Sequence, residues 1–338
     1  MASVILFLYS WKFGKVRYKK EKLILLWKPI YKDFRYMTHQ ILTDCPSENC
    51  KFTEDRNDST EADAIFFEVE SLYELPPRNV TGQIWIYSDV ESPAYRPNGI
   101  REWNGLFNWT MTYRRDSDIQ LFYGGVLKNN AEKTAFEYEN SMNKSEMLWL
   151  VSNCQTPGKR ELFVRNFTKY FNIEIVGKCG KTICGVDDKC EYKMLENKYK
   201  YYFAAENANC RDYVSEKTFR TLGFPIIPVV RGGSNYSLYL PPNSFVDSNS
   251  FKSPSGLASY LRKLEGDNFL YNKYFQWKRF FHGVIRFSEQ KNPYCELCER
   301  IQNHENHRRL YRNLHDWVRG NSETGTFCNK GELVKLDL

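Results

Sequence analysis

No apolar run in these 338 residues is long enough to cross a membrane as a helix. A helical span needs about 20 apolar residues, and the most apolar stretch of the N-terminus, Val4 to Trp11, is far shorter. Lys12, Lys15, Arg17, Lys19 and Lys20 follow that stretch, whereas a signal peptide places its charge first. A long basic block is also missing. The net charge of +7 is scattered along the chain, which argues against nucleic acid and suits a small anionic ligand. Internal repeats and low-complexity tracts are absent, which removes solenoids and disordered linkers. With 42% hydrophobic and 16% aromatic residues the chain can fill a large core, and its length fits two domains.

What the chain does have is ten cysteines and six N-x-S/T sequons, at Asn57, Asn79, Asn108, Asn143, Asn166 and Asn235. Together they point to an oxidising, glycosylating lumen, against the alternative of a cytosolic protein with free thiols.

Apolar runs and amphipathic runs then alternate. Leu23 to Trp27, Ala64 to Val69 and Ile84 to Tyr87 read as buried strands. A second series starts at Leu148 to Val151 and continues through Ile173 to Val176, Lys200 to Ala205 and Pro225 to Val230. Lys159 to Tyr170 predicts a helix with Leu162, Phe163, Phe167 and Tyr170 on one face, and Ser255 to Leu264 predicts another. Strands alternating with helices imply parallel sheets. The fold class is therefore α/β, with two Rossmann-like domains meeting near residue 145 across a cleft. Ligands bind such sheets beyond the carboxyl ends of their strands.

Three local matches carry little. Gly180-Lys181-Thr182 ends like a phosphate-binding loop, but Ile175 stands where the first glycine belongs. Asp116-Ser117-Asp118 has the spacing of a metal–diphosphate site and equally that of a structural turn, the reading preferred here. Cys295-x-x-Cys298 followed by His304-x-x-His307 has the wrong gaps for a zinc finger, and disulfide roles fit better.

Longer motifs say more. Residues 200–219 read KYYFAAENANCRDYVSEKTF, residues 107–119 read FNWTMTYRRDSDI before Tyr123-Gly124, and residues 85–93 read WIYSDVESP. With VSNC before Arg160, PPNSF at 241–245, YFQWK at 274–278 and the terminal Cys-x-x-Cys, the chain resembles the α1,3-fucosyltransferases over about residues 22–300. The core-type members of invertebrates and plants look most similar, through Cys45-x4-Cys50, the Cys179, Cys184 and Cys190 cluster, and the NCRDY run. Departures are Ala205, Ala208, Ser215, Thr218 and Arg231, where that family carries other residues.

The resemblance implies a GT-B arrangement. A basic segment, 1–20, precedes an acceptor-side domain, 21–144; a GDP-fucose-binding domain, 145–290, is followed by a segment, 291–338, returning to the first domain. It implies transfer of L-fucose from GDP-fucose to GlcNAc of glycoprotein glycans in α1,3 linkage, with inversion. The N-glycan core is the preferred acceptor, and outer N-acetyllactosamine the rival. An inactive glycan or nucleotide binder is the alternative of another class. Arg160 and Lys217 match the family's diphosphate contacts. Asn207, Tyr213 and Glu216 match contacts to nucleotide or fucose, and Glu206 is expected to hold the loop. Glu91 is the expected general base, with Asp89 its rival. No metal is expected to be required, with Mn²⁺ or Mg²⁺ at most stimulatory. Family members are Golgi-lumen proteins held by a single type II membrane anchor, so membrane association is expected although Val4 to Trp11 supplies no span. In such two-domain folds Cys45 and Cys50 would pair with Cys295 and Cys298; local Cys45–Cys50 and Cys295–Cys298 bridges are the other reading.

Overall fold

The computed structural model describes residues 21–27, 45, 49–69, 72, 74–76, 80–96, 98–134, 145–181, 188–197, 199–285, 292–321 and 325–328. The basic segment 1–20, the sequons at Asn79 and Asn143, Cys184 and the chain after 328 lie outside them.

Uninterrupted apolar runs form strands that are buried on both faces. Six strands, of which β2, β5 and β6 also carry polar residues, make the first sheet: β1 (Lys22–Trp27), β2 (Cys50–Thr53), β3 (Ala64–Glu68), β4 (Ile84–Asp89), β5 (Trp109–Thr112) and β6 (Ile119–Gln120). All pairings are parallel, in the order β2-β1-β3-β4-β5-β6. β7 (Gly124–Lys128) then leaves the sheet. A second parallel sheet contains β8 (Ser145–Leu150), β9 (Ile173–Val176), β10 (Tyr199–Ala205), β11 (Ile227–Arg231) and β12 (Val246–Asp247), in the order β12-β11-β10-β8-β9. β13 (Phe281–Ile285) returns to pair antiparallel with β7, Ile285 opposite Gly124.

The helices are α1 (Arg160–Phe167), α2 (Asp188–Asn197), α3 (Glu216–Phe219), α4 (Pro254–Glu265), α5 (Asn268–Lys273), α6 (Pro293–Gln302) and α7 (Leu314–Arg319). In α1 the buried face is Phe163, Val164 and Phe167, while Leu162 and Tyr170 are exposed. The expected face is thus corrected: at about 100° per residue Leu162 is rotated away from Phe163 and Phe167, and α1 ends before Tyr170. α4 starts on Ser253, whose Oγ accepts the Gly256 N–H, with Pro254 in its first turn. Leu257, Leu261 and Leu264 bury against the second sheet, each contributing roughly 1.5–3 kcal/mol.

The chain after 290 packs on the first sheet. Tyr294, Leu297 and Ile301 of α6 join one of its cores, while Tyr311, Leu314 and Val318 join the other. Disulfides Cys45–Cys295 and Cys50–Cys298 fix that return, so the cross-chain pairing holds and the local one does not. Cys154–Cys179 and Cys210–Cys328 add two more. No helix among the described residues is long and apolar enough to cross a membrane. Asn57 and Asn235 are exposed; Asn166 is buried, and Asn108 accepts the Trp85 N–H while donating to the Arg309 carbonyl.

Candidate active site

Both sheets reverse strand order where β1 and β8 each have neighbours on two sides, and the loops beyond the carboxyl ends of their strands carry the polar residues. Asp89 closes β4. Its carboxylate accepts from Arg96 Nε at 2.9 Å and Nη2 at 2.7 Å, from the Tyr87 hydroxyl at 3.2 Å and from the Glu91 N–H at 2.9 Å. Burial pushes its carboxyl up to about 6, against the pull of the Arg96 charge. Asp89 therefore shapes the loop, with its oxygens already taken.

Glu91, two residues on, is only half-buried. Its Oε2 accepts the Tyr213 hydroxyl at 2.9 Å. Tyr213 lies in the loop after β10, so this bond joins the loops of the two sheets. A small pocket there is lined by Glu91, Thr112, Tyr113, Arg114 and Trp317. Arg114 is clamped by the Asp116 carboxylate and stacks 4.0 Å above the Trp317 ring.

The β10 loop is pinned from below. Glu206 is fully buried and accepts the Ser215 N–H at 2.8 Å and the Ser215 hydroxyl at 2.7 Å. That places Lys217 Nζ 2.8 Å from Ser215 Oγ, 3.3 Å from Glu216 Oε1 and 3.5 Å from Glu206 Oε2. Burial, with a smaller push from the Glu216 charge, raises the Glu206 carboxyl, and Lys217 opposes. Burial lowers Lys217, but the two carboxylates outweigh it and hold the ammonium charged. At Glu216 burial raises and Lys217 lowers, and the net is a carboxyl below its ordinary value. The result is a cation at the mouth of a carboxyl-ended loop, suited to an anion.

Arg160 is buried between the two central strands. Its Nη1 donates to the Ala205 carbonyl at 2.7 Å and its Nη2 to the Asn153 carbonyl at 3.1 Å. Among the described residues its Nε has no partner, and neither has the buried Oδ1 of Asn207. Gly158 lets these segments meet, since a Cβ there would sit 3.0 Å from the Asn207 carbonyl oxygen. Four of the six expected site residues thus follow β10 in one stretch, Asn207 and Tyr213 in its loop and Glu216 and Lys217 in the first turn of α3; Arg160 packs against the start of that loop, and Glu91 reaches it through Tyr213.

The decoys are accounted for. Asp118 accepts from Thr110, Tyr311 and Arg309, and Asp116 from Arg114, which is the structural turn. No cluster of three or more possible metal ligands occurs among the described residues. Arg231, a departure from the motif, is buried 4.1 Å from the Phe163 ring, and burial lowers it to about 10. Sequence reasoning missed Arg96 and Trp317, for which no periodicity or spacing gives a signal, and gave Tyr123 a place in a motif but no role. It also missed Cys328, whose partner Cys210 stands inside the best motif.

Residues 140–317 match the glycosyltransferase family 10 (fucosyltransferase) C-terminal region, and residues 19–124 match the fucosyltransferase N-terminal region. Alpha-(1,3)-fucosyltransferase C of Drosophila melanogaster is 33% identical over 316 residues, covering 83% of this chain and 73% of that protein. Glycoprotein 3-alpha-L-fucosyltransferase A of the same organism is 34% identical over 291 residues, covering 82% and 56%. The human 4-galactosyl-N-acetylglucosaminide 3-alpha-L-fucosyltransferase 9 is 30% identical over 327 residues, covering 94% and 87%. A crystal structure of an alpha1,3-fucosyltransferase with GDP-fucose superposes with a TM-score of 0.57 at 14% identity, covering 89% of this chain and 94% of that one.

Proposed function

Because the chain belongs to glycosyltransferase family 10, the fucosyltransferases, we propose that it transfers L-fucose from GDP-fucose in α1,3 linkage to GlcNAc of glycoprotein glycans, with inversion. The observation that carries this reading is the meeting of Glu91 with the loop that ends at Lys217. Cleavage of the fucosyl C1–O bond leaves negative charge on the diphosphate, and the Lys217 ammonium stabilises it. The Nε of Arg160 is a second donor in reach of the same loop. Asn207 Oδ1 accepts from the nucleotide or sugar, and Glu216 favours the positive charge that develops on the ring. The acceptor hydroxyl attacks the opposite face of C1 while its proton passes to Glu91. One displacement on a β-linked donor gives an α-linked product without a covalent intermediate. The charges come from side chains, so no metal is needed for the step, and Mn²⁺ or Mg²⁺ at most speeds GDP release.

The acceptor is the innermost GlcNAc of an N-glycan. Supporting it are the cysteine pattern around 45–50 and 179–190 and the relative named for glycoproteins. Relatives named for 4-galactosyl-N-acetylglucosaminide favour the outer N-acetyllactosamine instead. The protein works in the Golgi lumen, which its disulfides suit. The test is incubation with GDP-fucose and both acceptors, with and without EDTA, followed by linkage and anomeric analysis by NMR. An α1,3-fucosylated core product that forms in EDTA is expected. A product only on N-acetyllactosamine reassigns the acceptor, and no transfer to either overturns the reading.

A further inference from the structure

We infer that Asn235 carries an N-linked glycan, set on a loop that packs against the candidate donor loop. The inference rests on the lumenal location proposed above.

As sequence, the sequons at Asn166 and Asn235 have equal standing. Folding makes them unequal. Asn166 lies on the buried side of α1 and is only 7% exposed, so a sugar there would have to force α1 off its sheet. In Asn235-Tyr236-Ser237 the two residues that define the sequon face solvent, and the middle one faces the core. Tyr236 is 1% exposed, meets the Phe245 ring at 6.1 Å and shares a core cluster with Leu240. It anchors the loop while its two neighbours stay outside. Asn235 Oδ1 accepts the Ser237 N–H at 3.2 Å, and its Nδ2 has no hydrogen-bond partner among the described residues. An amide nitrogen carries two hydrogens, so replacing one by a sugar breaks no bond of the fold. Leu238, three residues on, is 52% exposed and gives the first sugar an apolar surface to cover.

The loop leaves β11 at its carboxyl end, the side of the sheet that carries the candidate site. It lies directly against the loop after β10. A Cβ on Gly233 would sit 2.4 Å from the Asn209 carbonyl, and the Tyr239 hydroxyl donates to the Asp212 carbonyl at 3.4 Å. The glycan therefore stands beside the donor-side residues without using any of them. The modification joins Asn235 Nδ2 to C1 of the reducing-end GlcNAc of a lipid-diphosphate oligosaccharide. The C1–O bond to the diphosphate breaks, the diphosphate keeps the electron pair, and one amide proton is lost.

Ser237→Ala removes the sequon and leaves the bond from the backbone N–H at 237 to Asn235 Oδ1 in place. Asn235→Asp keeps that acceptor and removes the amide nitrogen. The full chain and both variants are produced in the secretory pathway of a eukaryotic cell. An amidase that cleaves N-glycans acts in heavy-oxygen water, so each asparagine that carried a glycan becomes a labelled aspartate, located by peptide mass spectrometry. Expected are label at Asn235 in most molecules and none at Asn166. Before the amidase step, both variants should weigh one glycan less than wild type. Asn235 unlabelled in a protein labelled at other sequons overturns the inference. So does an unchanged glycan mass in the two variants, or label at Asn166 equal to that at Asn235, which would show that burial does not select the site. A chain labelled at no sequon overturns it together with the lumenal location, a result distinct from the others.

Discussion

Lys217 stands between two carboxylates of unequal burial. Glu206 is fully enclosed, while Glu216 keeps about a third of its side chain exposed. The lysine compensates the buried Glu206, and in the function proposed above it also presents a cation to the donor. Lys217→Ala should weaken GDP binding by about 1–3 kcal/mol in calorimetry. It should also change how stability depends on pH. Glu206 is held above its ordinary carboxyl value by burial, and losing Lys217 removes the main opposing charge. A carboxyl whose folded pKa lies above its unfolded one adds stability at low pH and loses it as pH rises through the folded value. The Tm of the variant should thus fall more steeply than that of wild type between acid and neutral pH. Parallel Tm curves for the two proteins would show that Glu206 does not depend on Lys217.

Helix α3 and the turn after it are pressed into place by the β7–β13 ribbon. That ribbon approaches through glycines: a Cβ on Gly283 would lie 2.4 Å from Leu222 Cβ, and one on Gly124 would lie 2.5 Å from Phe219 Cβ. Both neighbours are buried and attached close to backbone, so neither can yield cheaply. Gly283→Ala should cost about 1–3 kcal/mol of stability as overpacking, measured by denaturant unfolding. The strain falls on the segment that carries Lys217, so GDP affinity should drop with it. A stable variant with full affinity would mean that α3 takes its position from the β10 loop alone. At this scale much was legible. Strands β1, β3, β4, β9 and β10 stand within a residue or two of their apolar runs, because a strand buried on both faces must be apolar throughout. β5 is obscured in the sequence by Asn108, just before it, and by Thr110 and Thr112; Asn108 and Thr110 find partners in the chain after 300, some 200 residues away, and Thr112 pairs locally with Ser117. β7 and β13 carry glycines at the contact with α3, so they lack the apolar signature of a core strand.

The return of the chain end onto the first sheet is held by covalent bonds as well as packing. Cys45–Cys295 and Cys50–Cys298 span 250 and 248 residues and lie side by side. In the chain-entropy model the first bridge to form limits the unfolded chain by about 5 kcal/mol, and the second then closes a loop of only roughly eight residues, adding about 2–3 kcal/mol. Removing either bridge alone, by Cys45→Ser with Cys295→Ser or by Cys50→Ser with Cys298→Ser, should therefore cost clearly less than half of what removing both costs. Equal, additive losses in urea titrations would contradict that account. Cys210–Cys328 is different in kind. It anchors the segment after α7 beside the β10 loop, where the Arg211 N–H also bonds the Phe327 carbonyl.

What the sequence determined by itself was the order of apolar strands and the run from Glu206 to Lys217, because these depend on neighbours close along the chain. A short motif keeps its members together in any fold that forms a loop there. Tertiary structure alone decided which of two nearby carboxylates is spent, since Arg96 turns Asp89 into a tether and leaves Glu91 to the pocket. It also decided where the Tyr213 hydroxyl goes. Its partner lies 122 residues earlier, on the other sheet, and only the packing of one loop against the other brings them within a hydrogen bond.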